Sequence, residues 1–409
     1  MQERAIEPPE PPAPPAPPTA SDRAGNPSEL AAWLRLAAVP GLGPVTAGRL
    51  LGRFGTPAQL FAADPDALAA LIPLRVATAL LARPDAAVAA QIERSLAWAA
   101  QPGHHLVPRD DPRYPPLLRA TADPPLVLHA QGRIDLLGAP QVAIVGSRHA
   151  SAQGRLHARA MARDLALAGV TVTSGMALGI DAAAHEGALE GAGSTVAVIG
   201  TGCDQVYPPA HRGLAARIVE AGLMVSEFPL GTAPLAGNFP RRNRIIAGLA
   251  RGVVVIEAAA RSGSLITARL ALEEGRDVCA MPGPVHAPLA RGCHRLIKDG
   301  AALVEDATDV LAVLALEPVG AIPPQADRSD RARTTATASH PARAALDAEP
   351  ARVLAVLAQC EHADPAPPDF DRLAAVSGLP AADLAGVLLE LELGHRITRL
   401  AGGRYQGLE

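Results

Sequence analysis

Lysine is almost missing from this chain, because Lys298 is the single lysine among 37 basic residues in 409. A phosphate-binding G-x-x-x-x-G-K-[ST] loop requires a lysine followed by serine or threonine, whereas Lys298 is followed by Asp299. A Walker-type nucleoside triphosphatase is therefore excluded. Contacts with anions must come almost entirely from arginine, whose forked guanidinium suits two-pronged binding of a phosphate.

Aromatic residues are also scarce, at 2% of the chain, although 49% of the residues are hydrophobic. Alanine, leucine and valine must therefore build most of the core. The length of 409 residues predicts about two to four domains. A formal net charge of -4 argues against a uniformly cationic surface for nucleic acid but permits a local basic patch.

Paired cysteines and long apolar runs are missing as well. The four cysteines include no C-x-x-C pair, which favours buried thiols in a reducing cytosol over disulfides. Cys279, His286, Cys293 and His294 could in principle hold a metal, but isolated core thiols and solvated histidines are favoured. We expect no metal and no cofactor. The acidic, Pro-rich start and the lack of an uncharged stretch of about 20 residues predict a soluble cytoplasmic protein without a membrane contact.

The distribution of proline and apolar residues divides the chain into five segments. A PPAPPAPP run predicts a disordered tail, and helical periodicity around the turn Gly41–Gly43 predicts a small helical domain. Strands alternating with helices follow, then a linker poor in large apolar residues, then three short helices and a hairpin. The predicted segments are a tail 1–27, a helix-hairpin-helix (SAM-like) domain 28–103, an α/β domain 104–317, a flexible linker 318–345 and a winged helix 346–409.

The central domain is predicted to be a doubly wound α/β domain with a mostly parallel sheet, because its strands alternate with helical stretches. A Pro-rich extended strap over Asp111–Gly132 should precede it. A short strand at Ala302–Glu305 should close the sheet before a helix at Ala307–Leu316. The other strand candidates are Val142–Gly146, Val170–Ser174, Thr195–Gly200, Leu223–Glu227, Val253–Glu257 and Asp277–Met281.

Glycine and small polar residues follow the predicted strands, and ligands bind at the carboxyl ends of strands in open α/β sheets. Glycine lets a ligand approach the backbone, and helix N-termini favour anions such as phosphate. Any one of these turns alone is better interpreted as an ordinary strand-to-helix connection. Together, with arginines nearby, they predict a phosphate-lined groove that includes Gly146, Ser147, Arg148, Ser174, Gly175, Ser262, Gly263, Ser264 and Thr267.

The densest basic run, Asn238–Arg244, stands at the predicted start of a helix. Guanidinium forks suit phosphate contact, and asparagine can add contacts to a base or a sugar. A solvated helix face is the alternative interpretation, and the position at an anion-favouring helix start argues against it. Phe239 could stack on a base, although a core anchor is about as well supported. The candidate contacts in this run are Asn238, Phe239, Arg241, Arg242, Asn243 and Arg244.

Catalytic constellations are mostly missing. The sequence has no G-x-G-x-x-G after its first α/β strand, no H-E-x-x-H and no G-x-S-x-G. The motifs that dehydrogenases, zincins and α/β-hydrolases require are therefore missing. Glu257, Asp181 and His185 stand near strand ends and could serve in acid–base work. Asp181 and His185 are four residues apart on a predicted helix, where a capping or salt-bridge role is favoured. We expect no enzymatic activity.

A long ordered set of motifs in the central domain resembles the DNA-processing protein A family (DprA, also called Smf). The similarity is strong over about residues 105–310 and weak in the two flanking domains. The motifs are VAIVGSR from Val142, SGMALGIDAAAH from Ser174, VAVIGTGCDQVYPP from Val196, SEFPLGTAP from Ser226, GNFPRRNRIIAGL from Gly237 and EAAARSGSLITARLALEEGRDVCAMPG from Glu257.

This resemblance implies an extended Rossmann-like domain that binds single-stranded DNA during natural transformation, protects it and loads the RecA recombinase onto it. It also implies a homodimer and a DNA pocket formed by Arg148, Arg241, Arg242 and Arg244. Leu178 departs from the family, whose members often have a basic residue within SG-x-A-x-GID, and this departure would weaken one phosphate contact.

The last predicted helix, Ala381–Leu393, carries Asp383, Glu390 and Glu392 but no arginine, which favours protein contacts or regulation over entry into a DNA major groove. The alternative function for the whole chain is a Rossmann-fold enzyme like the nucleoside-monophosphate phosphoribohydrolases, but their P-G-G-x-G-T-x-x-E motif is absent. A third interpretation, a structural adaptor that uses the two small helical domains, leaves the arginine groove unexplained.

Overall fold

The computed structural model describes residues 26–318, 352–357, 360, 367–393, 396–400 and 404–407. Contacts within the chain define two compact units, Met1–Pro323 and Pro324–Glu409. The predicted tail and the predicted linker lie outside the described residues, apart from residues 26, 27 and 318.

The first unit begins with short helices whose starts are marked by proline and by side-chain caps. Asn26 accepts a hydrogen bond from the Ser28 amide and begins α1, and Asp85 caps α6 through its own side chain. The sequence analysis did not predict α3, which begins with a capping box between Thr56 and Gln59. The helices are α1 Pro27–Ala37, α2 Pro44–Phe54, α3 Pro57–Phe61, α4 Pro65–Ala69, α5 Leu74–Leu81 and α6 Ala86–Ala99.

The helix, glycine turn and helix predicted at the start of the chain are confirmed. Gly41 has a φ of 78°, a conformation that glycine adopts without strain, and it joins α1 to α2. These helices share one core with the edge of the neighbouring sheet, because Leu106 and Val127 pack among their apolar side chains. The predicted boundary at residue 103 therefore falls between α6 and the first strand, inside one continuous packed body.

The described residues form a nine-stranded sheet with the order β1-β2-β6-β5-β4-β3-β7-β8-β9. β1 and β2 pair antiparallel with each other, β2 pairs antiparallel with β6, and the other pairings are parallel. The strands are β1 His104–Pro108, β2 Val127–Gly132, β3 Gln141–Gly146, β4 Thr171–Ser174, β5 Thr195–Val198, β6 Leu223–Ser226, β7 Gly252–Ile256, β8 Asp277–Ala280 and β9 Ala302–Leu303.

The mostly parallel sheet is confirmed, and its antiparallel edge corrects one expectation. The predicted strap Asp111–Gly132 instead contains a short helix, α7 (Pro116–Arg119), and the edge strand β2. Its prolines end at Pro125, so the backbone amides from Val127 onwards are free to pair. The sequence analysis missed β1 because two histidines begin it and it has only three further residues.

Alternate residues of the parallel strands face two separate cores. Ala143 and Val145 pack with α11 and α12 on one side, whereas Val142 and Ile144 pack with α8 and α9 on the other. Helices cover both faces, which explains why these strands are apolar without alternation. The helices are α8 Ala152–Leu167, α9 Ile180–Ala188, α10 Arg212–Ala221, α11 Asn238–Leu249, α12 Ser264–Glu273, α13 Arg291–Lys298 and α14 Ala307–Val313.

The second unit has the predicted three helical segments and hairpin of a winged helix. Residues 352–357 are helical, and Gly378 ends the next helix with a left-handed φ of 63°. The turn of the predicted hairpin, at residues 402 and 403, lies outside the described residues. The remaining elements are α15 Phe370–Ser377, α16 Ala381–Leu393 and the antiparallel strands β10 Ile397–Leu400 and β11 Arg404–Gly407.

Across the part of the chain that the structure describes, no helix is both long enough and apolar enough to cross a membrane.

The contact between α8 and α9 depends on Gly187. A methyl group at this position would collide with the backbone carbonyl of Arg159 on α8. We therefore expect Gly187→Ala to reduce the free energy of unfolding by about 2 kcal/mol, because overpacking forces two helices apart. Gly213→Ala in α10 is the control, because nothing lies within 4 Å of its new methyl group. Equal melting temperatures for the two variants in thermal denaturation would contradict the close packing.

Candidate nucleic-acid interface

An open groove, the strand-end groove, lies at the carboxyl ends of β3 and β7 beside the start of α11 and has a volume of about 620 Å³. It is where the topology predicts a ligand site, because parallel strands end there on one edge of the sheet. Most of the predicted site residues line it, namely Gly146, Ser147, Arg148, Phe239, Arg242, Asn243, Ser262, Gly263, Ser264 and Thr267.

Arg148 is the exposed cation of this groove. Its guanidinium carbon lies 5.8 Å from the centre of the Phe239 ring, within reach of a cation–π contact. Phe239 is half-buried and its ring centre lies 5.6 Å from that of Tyr207, which is 44% exposed. The groove therefore combines one accessible guanidinium with two aromatic rings at its surface.

The loops that follow β3 and β7 add neutral polar groups to the same groove. Ser147 donates its backbone N–H to the carbonyl of Glu257 at 2.7 Å, which ties the ends of β3 and β7 together. The hydroxyl oxygens of Ser262 and Ser264 are 2.7 Å apart. Thr267 lies one turn further along α12 and is buried in the wall. These hydroxyl groups supply hydrogen-bond donors and acceptors without adding charge.

Arg242 lines the groove but is only 4% exposed. Its Nη1 donates hydrogen bonds to the backbone carbonyls of Gly175 and Val198, which follow β4 and end β5. Burial lowers the pKa of Arg242 to about 10, so the guanidinium stays charged at neutral pH. The sequence predicts that Arg242 contacts phosphate in the DNA pocket. The structure gives Arg242 a structural role at the strand ends, and its contact with phosphate stays a prediction.

Asp181 and His185 hold the loop after β4. The Asp181 carboxylate accepts hydrogen bonds from the backbone N–H groups of Gly175 at 3.1 Å and Ala177 at 3.3 Å. His185 Nε2 accepts from the Met176 N–H at 3.2 Å. Burial raises the pKa of Asp181 and lowers that of His185 to about 3, so the imidazole is neutral. Both groups are therefore occupied by the backbone rather than free for acid–base chemistry.

Glu257 is also occupied. Its carboxylate accepts hydrogen bonds from the backbone N–H of Ser151 at 2.8 Å and from the Ser151 hydroxyl at 2.5 Å. Ser151 in turn caps α8 by accepting from the Gly154 N–H. Glu257 has a φ of 52°, which is uncommon for a residue other than glycine and carries backbone strain. This carboxylate fixes the start of α8 at the rim of the sheet.

Three of the predicted site residues support the groove from behind its lining. The Ser174 hydroxyl donates to the carbonyl of Ile144 at 2.7 Å, and the Asn238 amide donates to a carbonyl just after β5 at 3.1 Å. A side chain at Gly175 would collide with the guanidinium of Arg242. Glycine is therefore required at position 175 to make room for arginine, rather than for a ligand.

Arg241 and Arg244 point away from the strand-end groove. Arg241 is exposed, and its guanidinium carbon lies 5.5 Å from the centre of the Phe228 ring. Arg244 forms an ion pair with Glu227 and another with Asp123 at 3.3 Å, and its side chain is 17% exposed. Successive residues of a helix point in directions that differ by about 100°, so the three arginines of this run lie in three different surroundings.

Comparison with known proteins agrees with this architecture. The family model described as DNA recombination-mediator protein A matches residues 105–315, more than half of the chain. The chain belongs to this family. A DprA winged helix domain model matches residues 337–403, and a SAM-like helix-hairpin-helix tandem model matches residues 34–81. These matches confirm the family and the fold classes expected for all three parts of the chain.

Individual family members are similar in sequence to this chain over different lengths. Protein Smf of Synechocystis is 35% identical over 405 residues, covering 93% of this chain and 99% of that protein. Protein Smf of Escherichia coli is 52% identical over 221 residues, covering 54% of this chain and 59% of the relative's length. The crystal structure of DNA processing protein A from Streptococcus pneumoniae superposes with a TM-score of 0.55 and 38% identity, covering 68% of this chain and 95% of that chain.

Tyr207 lines the groove, although the sequence pattern did not indicate it. It lies in a long connection after β5 rather than at the first residues beyond a strand, where ligand contacts are expected. The sequence carried one indication of this role. Tyrosine is rare in the chain, with three residues, and one of them lies on the exposed wall of the groove. Leu178, which the resemblance singles out as a departure from the family, is 46% exposed and follows Ala177, which lines the groove.

The burial of Arg242 generates a stability prediction. We expect Arg242→Ala to lower the free energy of unfolding by about 3 kcal/mol or more, because two buried carbonyls lose a donor and the buried Asp181 loses a nearby cation. Arg241→Ala removes the adjacent, exposed arginine and should change stability by less than about 0.5 kcal/mol. Chemical denaturation of both variants measures the difference. If Arg242→Ala is as stable as Arg241→Ala, the guanidinium does not hold the strand ends.

Proposed function

We propose that this chain binds single-stranded DNA in the strand-end groove. The observation that carries the proposal is the position of exposed Arg148 beside the rings of Phe239 and Tyr207, among neutral hydrogen-bonding groups. A guanidinium can contact a phosphate while the rings stack on unpaired bases, which is how sequence-tolerant single-strand sites are built. Bases in a duplex are already stacked and would not reach these rings.

The family supports a role in DNA processing. We propose that the chain acts in natural transformation, where it protects incoming single strands and loads the RecA recombinase onto them. The relative from Streptococcus pneumoniae is a DNA processing protein, which supports the general role. Free, buried thiols at all four cysteines favour a reducing compartment, so we further propose the cytoplasm as its location.

We also propose that the chain works as a homodimer. Ile266, Leu272 and Val313 are large, exposed apolar residues beside one surface cavity of about 690 Å³. Leu303 on the last strand of the sheet is 51% exposed and follows Ala302, which lines the same cavity. Exposed apolar residues grouped around one cavity favour burial against a second protein surface.

We propose that binding proceeds without nucleotide hydrolysis. Glu257, Asp181 and His185 are the acid–base candidates that the sequence indicates, and each is engaged by the protein's own backbone or side chains. A general base must be free to reach a proton on its substrate. The geometry of these residues therefore supports a binding protein rather than a phosphoribohydrolase.

The first test compares single-stranded with duplex DNA of the same sequence in a mobility-shift titration at one salt concentration. We expect the single strand to bind more tightly, because the rings of Phe239 and Tyr207 can stack only on unpaired bases. Incubation with nucleoside monophosphates should release no free base. Equal or tighter binding of the duplex would refute the proposed groove.

The second test uses Arg148→Ala. Loss of one phosphate contact on a single strand should reduce the slope of log affinity against log salt by about 0.7 and weaken all sequences to a similar degree. Arg133→Ala is the matched control. Arg133 follows β2 where Gly132 pairs with Leu223, the first residue of β6, so it lies at the opposite end of the parallel strands. An unchanged salt slope in Arg148→Ala would show that Arg148 does not contact phosphate.

A further inference from the structure

A second cavity, the helix–sheet cavity, lies where the N-terminal helices meet the antiparallel edge of the sheet. Its volume is about 330 Å³, within the lower range for small-molecule sites. Much of its lining is apolar and comes from α1, the glycine turn, α6 and the ends of β2 and β6. The residues that matter for packing a ligand are Leu34, Leu42, Ile92, Leu126 and Phe228.

Two deeply buried polar side chains belong to the lining of this cavity, and three of their polar atoms have almost no accessible surface and no well-formed hydrogen bond. His129 on β2 is 3% exposed; neither ring nitrogen forms a hydrogen bond of ordinary geometry, and the Ser226 backbone lies within weak hydrogen-bonding reach of the ring. Glu227 has a side chain that is 7% exposed; its Oε2 accepts from Arg244, while Oε1 has no partner. A ligand that pairs with both groups would remove the cost of leaving them unsatisfied.

The protonation of His129 defines what it offers a ligand. Burial lowers the pKa of His129 to about 4, so the imidazole is neutral at physiological pH. A neutral imidazole has one N–H donor and one acceptor nitrogen. The ion pair with Arg244 favours the ionised form of Glu227, in which Oε1 is an acceptor, so the cavity lining combines an acceptor oxygen with a ring that can donate.

Charge decides which kind of donor suits Glu227. Burial raises the pKa of Glu227, and the nearby guanidinium groups of Arg244 and Arg241 oppose this effect. A ligand ammonium would be a third cation beside two arginines, whereas a neutral N–H group satisfies Oε1 without that repulsion. Arg241 is exposed and lines the same cavity, so an anionic group of the ligand can lie against its guanidinium.

We propose that the helix–sheet cavity binds a nucleotide whose base carries an amino group. The base would lie among the apolar side chains and against Phe228, with its amino group donating to Glu227, a ring nitrogen accepting from His129, and a phosphate at Arg241. This site is separate from the strand-end groove, goes beyond the proposed function and does not depend on it. Its nucleotide could be free in solution or part of a bound DNA strand.

The test titrates the full chain with deoxyadenosine monophosphate by calorimetry and titrates oligodeoxyadenylate in a mobility shift. Each is compared with the matching purine ligand that lacks the 6-amino group. One of the two experiments, with the monophosphate or with the oligonucleotide, measures binding in this cavity. In that experiment we expect the ligand without the amino group to bind about tenfold more weakly, because Oε1 of Glu227 stays unpaired. Equal affinity of the two ligands in both arms would overturn the proposal.

Ala38→Trp is chosen to obstruct the cavity while leaving its polar side chains unchanged. Ala38 lines the cavity and is exposed at the end of α1, so the indole can enter from the surface. Leu74→Trp is the matched control, because Leu74 is 71% exposed on α5 and does not line the cavity. We expect Ala38→Trp alone to weaken binding of the adenine ligand about tenfold or more.

The pattern of losses identifies the source of the nucleotide. If Ala38→Trp weakens only the monophosphate, the ligand is a free nucleotide; if it weakens oligodeoxyadenylate more than the amino-free strand, the cavity takes a base from bound DNA. Arg148→Ala tests the strand-end groove independently and should leave monophosphate binding unchanged. The proposal fails if Ala38→Trp changes neither affinity, or if monophosphate binding is lost in Arg148→Ala instead.

Discussion

One buried guanidinium holds the carboxyl ends of β4 and β5 beside each other. Arg242 reaches from α11 to carbonyl oxygens at both strand ends, and glycine at position 175 leaves the space that the guanidinium occupies. Asp181 is buried nearby, and its carboxylate favours the charged form of the guanidinium. The loop after β4 therefore has a fixed shape on both sides: Arg242 binds its carbonyl, and Asp181 binds its amides.

The buried position of Arg242 changes how the basic run at the start of α11 is interpreted. Arg242 satisfies carbonyl oxygens, Arg244 neutralises carboxylates, and Arg241 remains exposed over Phe228. The three arginines of the run therefore lie in different surroundings, and their contact with phosphate stays a prediction. In the proposed site, Arg148 is the exposed guanidinium of the strand-end groove, with hydroxyl groups and two aromatic rings beside it. A site of this kind would bind a flexible strand through a few contacts, in agreement with the modest charge of the whole chain.

The sequence predicted the sheet and most of the groove for a simple physical reason. Alternating strands and helices require parallel pairing, and parallel pairing brings the residues after β3 and β7 to one edge. The same reasoning could not separate Arg242 from Arg148, because burial of a guanidinium depends on carbonyls contributed by distant strands. It also missed the antiparallel edge at β1 and β2, where strand pairing is decided by packing against the N-terminal helices rather than by local pattern.

The two cavities share α11 as a common wall. Arg242 and Phe239 line the strand-end groove, whereas Arg241, between them in sequence, lines the helix–sheet cavity. An occupant that moved Arg241 would therefore act on the helix that carries Arg242, and through Arg242 on the ends of β4 and β5. Coupling of this kind is reciprocal in binding free energy, so DNA in the groove would change nucleotide affinity by the same factor as nucleotide changes DNA affinity. A rigid α11 would make that factor one, and the two sites would then bind independently.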